Sequence, residues 1–335
     1  MSKPKVAVLS LGGTIAMTQS GQGGVVPTLT GEMLVAAVPA LQDLADIQAL
    51  SFRQKPGAHL SFDDLEALAQ EIGKQLAAGA CGVVVTQGTD TLEETAFTLD
   101  RLLGGEAPVV VTGAMRNPTL PGADGPANLL AAVQVVLSEA ARGLGCLVVM
   151  NDEIHAARFV RKAHTGSPAA FSSPVAGPIG WVAEGRVRIP LRLEPIPSLP
   201  WEPDGEEAPV ALITVGLGDD GALIDAACNA GFKGIVAEAT GGGHVAPAVA
   251  EALERAARQM PVILASRTGA GEVLCRTYGF PGSEIDLQRR GLIRAGWLDG
   301  LKAKVLLTLL LRHADGSPQS VSAAFQPWGG GAQGM

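Results

Sequence analysis

The chain has 335 residues, of which 47% are hydrophobic and 17% are charged, and its formal net charge is −8. This composition predicts a folded protein with a sizeable core and excludes a disordered chain. No cluster of Lys and Arg forms a basic stripe, which gives nucleic-acid binding little support, and the longest apolar runs, such as 305–311, are too short to span a bilayer.

Short β-branched runs alternate with alanine-rich stretches of helical spacing through the first half of the chain. Because the runs are uniformly apolar, they predict parallel strands covered by helices on both faces of a sheet. Ser61 is the predicted N-cap of the first helix, with Asp64 at its third position. The predicted strands are 5–11, 82–86, 109–112 and 146–150, and the predicted helices are 60–78, 92–103 and 126–140.

A proline-rich segment over 186–209 interrupts this alternation, carries no helical signal and predicts a linker. We therefore expect an α/β protein with a larger N-terminal domain over 1–190, a linker over 191–209 and a smaller C-terminal domain over 210–335. Each domain should hold a mainly parallel sheet covered by helices. The predicted C-terminal strands are 210–215, 234–238 and 261–265, and the predicted helices are 221–230, 245–259 and 302–312.

The cysteines and histidines argue against a disulfide framework and a metal site, and we expect no cofactor. None of the cysteines lies in a CxxC pair, and no histidine spacing matches a metal-binding motif. The N-terminal residues 1–13 predict a first strand rather than a signal peptide. We expect a cytoplasmic protein with reduced thiols. The residues concerned are Cys81, Cys146, Cys228 and Cys275, and His59, His155, His164, His244 and His313.

Two predicted strands run out into a glycine followed by a threonine, Gly13-Thr14 and Gly88-Thr89-Asp90. Ligands of open parallel sheets bind outside the carboxyl ends of the strands, where both pairs fall. The glycines let a ligand approach the backbone, and the following helix N–H groups can stabilise an oxyanion. A threonine hydroxyl becomes a nucleophile once a base takes its proton.

Helix capping is the alternative explanation for the second cluster. Thr91 with Glu94 fits a capping box, and Glu93 in a first helical turn needs no further function. Capping needs one hydroxyl or carboxylate per helix, however, whereas the stretch TQGTDT offers four candidates and a glycine.

Five segments in one order resemble the bacterial-type asparaginase/glutaminase family. GGTIA at 12–16 and TQGTDTLEETAF at 86–97 resemble its two signature motifs. The segment 113–129 resembles its third block, 157–174 the segment with its catalytic lysine, and 296–307 its final helix. The resemblance implies hydrolysis of L-asparagine to L-aspartate and ammonia, and in some members hydrolysis of glutamine, through an acyl-enzyme on threonine.

The resemblance also implies roles for individual residues. Thr14 matches the threonine usually assigned as the nucleophile, and Thr89, Asp90 and Lys162 match a second triad. Lys162 would take the proton of Thr89, while Asp90 would orient the lysine or bind the α-ammonium group of the substrate. Backbone N–H groups near Gly13, Gly88 and Thr89 would bind the amide oxygen, and Ala114 would line the pocket.

Two segments of the N-terminal domain depart from the family pattern. The mobile lid that brings a tyrosine against the first threonine corresponds to 17–27, which has no tyrosine, since Tyr278 is the only one in the chain. Lys162, acting through Thr89 or a water, is our expected substitute. In the segment that binds the substrate carboxylate, Ala58 and His59 replace the usual serine and glutamine.

Residues of the C-terminal domain are expected to complete the site of a neighbouring subunit. Gly242 stands where the family has an asparagine, while Glu284 matches the acid that a neighbour supplies. The resemblance therefore implies a homodimer or a homotetramer.

Three other functions compete with an asparaginase. An NAD-dependent oxidoreductase is suggested by GLGDDG at 216–221, which matches a dinucleotide-binding pattern, although Asp219 and Asp220 would face the pyrophosphate. A catalytically inactive amino-acid-binding or regulatory protein on the same fold would explain Ala58 and Gly242. An amidotransferase subunit would normally carry extra docking sequence, and none is evident.

Overall fold

The computed structural model describes residues 2–13, 15, 17–19, 25–27 and 30–331. The chain divides into two compact units, Met1–Ser198 and Leu199–Met335. The division falls inside the segment 191–209 that the sequence marks as a linker. Each unit is built on its own sheet, as the sequence predicted, and the α/β fold class is confirmed.

The first unit holds an eight-stranded sheet in the order β12-β11-β8-β7-β6-β5-β1-β4. Strands β4, β1, β5, β6 and β7 run parallel, and β8, β11 and β12 continue the sheet in antiparallel pairs. The strands are β1 Lys5–Ser10, β2 Met17–Gln19, β3 Val25–Pro27, β4 Asp46–Ser51, β5 Gly82–Thr86, β6 Val109–Thr112, β7 Cys146–Met150, β8 Glu153–Ala156, β9 Arg161–Lys162, β10 Phe171–Ser172, β11 Gly180–Ala183 and β12 Arg186–Arg188.

Helices cover both faces of the parallel strands, which is why β5, β6 and β7 are buried at every position. The predicted N-cap Ser61 begins α3 and forms a capping box with Asp64, because Ser61 Oγ accepts from Asp64 N and the Asp64 carboxylate accepts from Ser61 N. The helices are α1 Gly31–Ala36, α2 Leu41–Leu44, α3 Phe62–Ala77, α4 Leu92–Leu102 and α5 Gly125–Val136, with 3₁₀ turns at Gly57–His59, Thr89–Thr91 and Glu139–Ala141.

Buried arginines fix the first half of the predicted linker to the first unit. Arg101, which is only 2% exposed, donates to the carbonyl oxygen of Pro197 at 3.2 Å. Arg158 donates to that of Glu194 at 3.0 Å. Because these carbonyls are occupied, residues 194–197 form an ordered strap on the first unit rather than a free tether.

The second unit holds a four-stranded parallel sheet in the order β13-β14-β15-β16. None of the described helices has the length and apolar character needed to cross a membrane. The elements are β13 Val210–Thr214, α6 Ala222–Asn229, β14 Gly234–Ala239, α7 Pro247–Ala257, β15 Val262–Ser266, α8 Glu284–Arg289, β16 Ile293–Arg294, α9 Gly300–His313 and α10 Pro318–Phe325, with a 3₁₀ turn at Gln326–Trp328.

Candidate active site

Three parallel strands of the first unit end at one level of the sheet. Ser10 at the end of β1 pairs with Thr86 at the end of β5, which pairs with Thr112 at the end of β6. The loops that follow therefore leave the sheet side by side, at the edge where ligands of parallel sheets bind.

Glycines allow these loops to touch backbone to backbone. Gly13 has a φ of +84°, and a Cβ added there would overlap the backbone of Gly88. Gly88 itself has an ordinary φ of −66°, so its lack of a side chain serves packing. A Cβ on Gly88 would come within 3.1 Å of Gly57 N and 3.2 Å of Gly13 Cα.

Thr91 does not form the capping box with Glu94 that the alternative explanation requires. Thr91 is the N-cap of α4, but its side chain caps no N–H of the helix. Its hydroxyl instead donates to the carbonyl oxygen of Gly57 at 2.9 Å. The 3₁₀ turn Gly57–His59 is thereby held against the turn Thr89–Thr91, which explains why this strand end carries more hydroxyls than capping requires.

Lys162 brings Thr89 and Asp90 together. Its Nζ lies 3.0 Å from Thr89 Oγ1 and 2.7 Å from Asp90 Oδ1. The side chain of Lys162 is 16% exposed and that of Asp90 is 68% exposed, while Thr89 is 5% exposed. Asp90 Oδ2 has no partner among the described residues. The arrangement can move a proton between the threonine and the lysine beside a carboxylate oxygen that is open to a cationic ligand.

The backbone of Lys162 is held in place as well as its amine. Its N–H donates to Glu93 Oε1 at 3.0 Å, across from α4. Lys162 also pairs with Phe171 in the β9–β10 hairpin. From the sequence alone, Glu93 is an acid in the first turn of a helix. Nothing in the sequence indicates that its carboxylate accepts the backbone N–H of Lys162, 69 residues away.

Of the other predicted site residues in the first unit, Ala58 and His59 are exposed and Ala114 is buried. Ala58 and His59 are exposed in their 3₁₀ turn. Ala114 is fully buried and lines an apolar cavity of about 60 Å³ with Ile15, Leu34 and other apolar residues.

The first predicted nucleophile, Thr14, lies outside the described residues. The predicted lid over 17–27 is described only in part, where Met17–Gln19 pairs with Val25–Pro27 as an antiparallel hairpin.

Glu284 belongs to the second unit, where it is fully buried. Its carboxylate accepts the N–H groups of Thr277 and Tyr278, each at 2.7 Å, and lies 3.1 Å from His244 Nε2. Burial alone would raise the pKa of Glu284, but these hydrogen bonds lower it below its usual value.

An aromatic cluster surrounds the imidazole of His244. The rings of Tyr278 and Phe280 stand edge-on to it at centroid distances of 4.9 Å and 5.3 Å. The predicted site in this unit included Glu284 but missed His244, whose contact spans 40 residues of sequence.

Two sequence families match the two units. The one described as "Asparaginase, N-terminal" matches residues 5–194, and "Glutaminase/Asparaginase C-terminal domain" matches residues 209–325. The chain belongs to the asparaginase family. This result confirms both the resemblance drawn from the motifs and the assignment to the hydrolases.

Individual asparaginases match over most of this chain. The "Probable L-asparaginase" of Deinococcus radiodurans is 38% identical over 317 residues, which are 92% of this chain and 94% of that protein. The structure of the probable cytoplasmic L-asparaginase from Campylobacter jejuni matches with a TM-score of 0.87 and 32% identity, over 97% of this chain and 99% of that one.

A relative with a different name also matches. It is one of the glutamyl-tRNA(Gln) amidotransferase subunits of Methanosarcina mazei, and it is 32% identical over 310 residues, which cover 89% of this chain and 70% of that protein. Sequences similar to this chain therefore occur both in L-asparaginases and in a protein named as an amidotransferase subunit.

The dinucleotide-like motif of this asparaginase-family chain is occupied by its own acids. Asp219 accepts from Gly216 N at 2.7 Å, and Asp220 accepts from Ala222 N at 3.0 Å at the start of α6. Asp219 thus occupies a backbone N–H of the motif, and Asp220 binds the first N–H of the helix that follows it. Among the described residues, no group of three or more His, Cys, Asp or Glu side chains could hold a metal ion.

Proposed function

We propose that this chain hydrolyses the side-chain amide of L-asparagine to L-aspartate and ammonia, with a threonine carrying the acyl group. The observation that carries the proposal is the contact of Lys162 Nζ with both Thr89 Oγ1 and Asp90 Oδ1, at 3.0 Å and 2.7 Å, within an asparaginase-family chain. A lysine held against a nearly buried threonine hydroxyl is the arrangement that proton transfer in acyl chemistry requires.

The two oxygens of Asp90 give it two simultaneous roles. Oδ1 holds the Lys162 amine, and Oδ2 is available to the α-ammonium group of the substrate. A second cation at Asp90 competes with the charged lysine, which favours release of its proton. Substrate binding would in this way convert Lys162 into the base that Thr89 needs.

The reaction itself has two steps. A threonine oxygen bonds to the amide carbon, the C–N bond breaks, and the nitrogen leaves as ammonia after taking up a proton. Water then attacks the resulting ester, which releases aspartate and restores the hydroxyl. Thr14 is the acyl carrier that the family motif suggests, Thr89 with Lys162 moves the proton, and backbone N–H groups near Gly13 and Gly88 face the developing oxyanion.

The proposal extends to the substrate's carboxylate and to a second subunit. His59, exposed next to Ala58, would donate a hydrogen bond to the α-carboxylate. Glu284, buried and held by backbone N–H groups, would be the acid that a neighbouring copy contributes. The functional form would then be a homodimer or homotetramer, and we place it in the cytoplasm.

Two alternatives use the same fold. An inactive amino-acid-binding protein is favoured by Ala58, which lacks the hydroxyl donor of the family pattern. An amidotransferase component that passes ammonia to a partner is favoured by the Methanosarcina mazei relative. Under either alternative, the purified chain would not release ammonia from free asparagine.

An ammonia-release assay on the purified protein tests the proposal. The substrates are L-asparagine, L-glutamine and their D-isomers, and binding of each is measured in parallel by calorimetry. We expect turnover of L-asparagine to exceed that of the other three. Binding of L-asparagine without ammonia release would replace the enzyme by the binding protein, and absence of both would end the assignment to asparagine.

A further inference from the structure

A buried histidine outside the proposed reaction contacts a buried serine in the first unit. His155, on β8, is 0% exposed, and its Nδ1 lies 2.9 Å from the Oγ of Ser173, which is 5% exposed. His155 Nε2 is also buried and makes no hydrogen bond within the described part of the chain, although Glu153 Oε2 lies 3.3 Å away. Buried polar groups of this kind normally have a structural or functional reason.

The serine follows the hairpin that carries Lys162. In that hairpin Phe171 pairs with Lys162 and Ser172 with Arg161, and Ala163 N donates to Ala170 O at 2.7 Å. Ser173 is the next residue, and its carbonyl oxygen accepts from Gly177 N at 2.8 Å as the chain turns back toward the main sheet. The place of Ser173 therefore fixes where the β10 strand lies.

Two side-chain hydrogen bonds tie this hairpin to its surroundings from opposite strands. Glu93 holds the β9 strand through Lys162 N at 3.0 Å. His155 holds the end of the β10 strand through Ser173. Because β9 contains two residues and pairs only with β10 among the described strands, its alignment depends on such anchors.

We infer that His155 is a positioning residue for Lys162: by holding Ser173 it sets the register and depth of the hairpin that presents the amine to Thr89. The inference rests on the role of Lys162 under the proposed function, but the positioning itself is a property of the first unit. Neither His155 nor Ser173 forms a hydrogen bond with Thr89 or with the Lys162 amine.

The protonation state of the imidazole suits this role. Burial lowers the pKa of His155 to about 4. The neutral ring has one acceptor nitrogen. Because a carboxylate oxygen of Glu153 lies 3.3 Å from Nε2, we assign the proton to Nε2, so that Ser173 Oγ–H donates to Nδ1. Glu153 is the acidic side chain within reach of the ring.

The chemical reactivity of Lys162 tests the inference without any enzyme assay. The probe is acetic anhydride at low concentration, with the acetylation rate of each lysine read by peptide mass spectrometry. In the parent protein the Lys162 amine is shielded by its contacts with Thr89 and Asp90. Ser173→Ala should raise the acetylation of Lys162 several-fold, while the exposed Lys233 serves as an internal standard.

Three further variants separate positioning from general damage. Ser172→Ala changes the preceding residue of the same strand, whose side chain has no hydrogen bond among the described residues, and should leave Lys162 labelling unchanged. His155→Asn places a polar atom near the position of Nδ1 and should retain most of the protection, whereas His155→Ala should lose it. If Ser173→Ala and His155→Ala both label like the parent, the inference is overturned.

Kinetics then connects the positioning to the reaction. If the chain turns over L-asparagine, Ser173→Ala should lower kcat by about tenfold or more, as expected for a misplaced catalytic group, and leave KM near that of the parent. If a variant shows faster acetylation of Lys162 but a normal kcat, Lys162 does not take part in catalysis and the proposed function is contradicted. The positioning of Lys162 by His155 would still hold.

Discussion

The Nζ of Lys162 lies 3.0 Å from the Oγ1 of Thr89, although 73 residues separate them in the sequence. The contact joins an amine on a two-residue strand to a hydroxyl in the 3₁₀ turn that follows β5. Around it, Asp90 binds the same amine and Glu93 binds the lysine's backbone N–H. Two neighbouring acids of one strand-to-helix turn thus position the lysine from both ends.

Lys162→Met should lower kcat on L-asparagine by about 10²- to 10⁴-fold, which is the usual contribution of a general base. The methionine keeps the length of the side chain and removes the amine. Lys74→Met is a matched control, because Lys74 is 70% exposed and makes only a long ion pair with Glu71 at 3.6 Å. Equal kcat values for the two variants would remove Lys162 from the proton path.

Asp90→Asn should raise KM for L-asparagine by about tenfold or more, since a hydrogen bond to a charged group contributes about 1.5 to 3 kcal/mol. The same variant should change KM far less for succinamate, which is asparagine without its α-amino group. Steady-state kinetics with both substrates separates the two roles of Asp90. A similar increase in KM for L-asparagine and succinamate would show that Asp90 binds Lys162 but not the α-ammonium group of the substrate.

Gly88→Ala should destabilise the first unit by about 1 to 3 kcal/mol, as overpacking does. Alanine tolerates the φ of −66° at this position, so the cost comes from the contacts of its Cβ with Gly57 N and Gly13 Cα. Gly73→Ala is the control, because a Cβ at this position in α3 meets nothing within 4 Å.

The helix control should gain stability, since alanine is favoured over glycine inside a helix by about 1 kcal/mol. Thermal unfolding of both variants against the parent measures the difference. If Gly88→Ala unfolds at the parent's temperature, the loops do not need the close approach that the backbone shows.

The depressed pKa of His155 predicts a pH dependence of stability. The pKa is about 4 in the folded protein against 6.5 for an ordinary histidine, so the unfolded chain binds the proton more tightly. This contribution to stability is fully present above pH 6.5 and is lost as the pH falls from 6.5 toward 4, by about 3 kcal/mol in total.

His155→Asn should remove this part of the acid sensitivity. Thermal unfolding of parent and variant at pH 7 and pH 4.5 tests it, because each protein serves as its own reference at the higher pH. The parent should lose more of its unfolding temperature on acidification than the variant. Equal losses would show that the buried imidazole does not govern acid stability.

The sequence predicted the elements that depend on local chemistry. The strand Gly82–Thr86 and the capping box of Ser61 with Asp64 lie where the apolar run and the Ser-x-x-Asp spacing placed them. The helix predicted over 126–140 ends at Val136, and Ser138 adopts an extended backbone. The sequence contains no strong helix breaker at this point that would have predicted the end.

Contacts between distant segments could not be predicted in the same way. Gly57 accepts from Thr91 across 34 residues, whereas the local pattern predicts Thr91 as a cap. The sequence indicates that Gly88 lets a ligand approach the backbone, whereas in the structure its missing side chain makes room for two neighbouring loops. Such constraints exist only once the strands have been placed side by side.

The central claim is that the Thr89 hydroxyl takes part in the reaction, and Thr89→Val tests it most directly. Valine matches threonine in shape, and Thr95→Val is the matched control because the buried Oγ1 of Thr95 has no hydrogen-bond partner in the described part of the chain. In an ammonia-release assay with L-asparagine, we predict that Thr89→Val loses about 100-fold or more of kcat and that Thr95→Val retains it. If kcat of Thr89→Val stays within about twofold of the parent value, the loss is far smaller than a proton-transfer group contributes, and the account is contradicted.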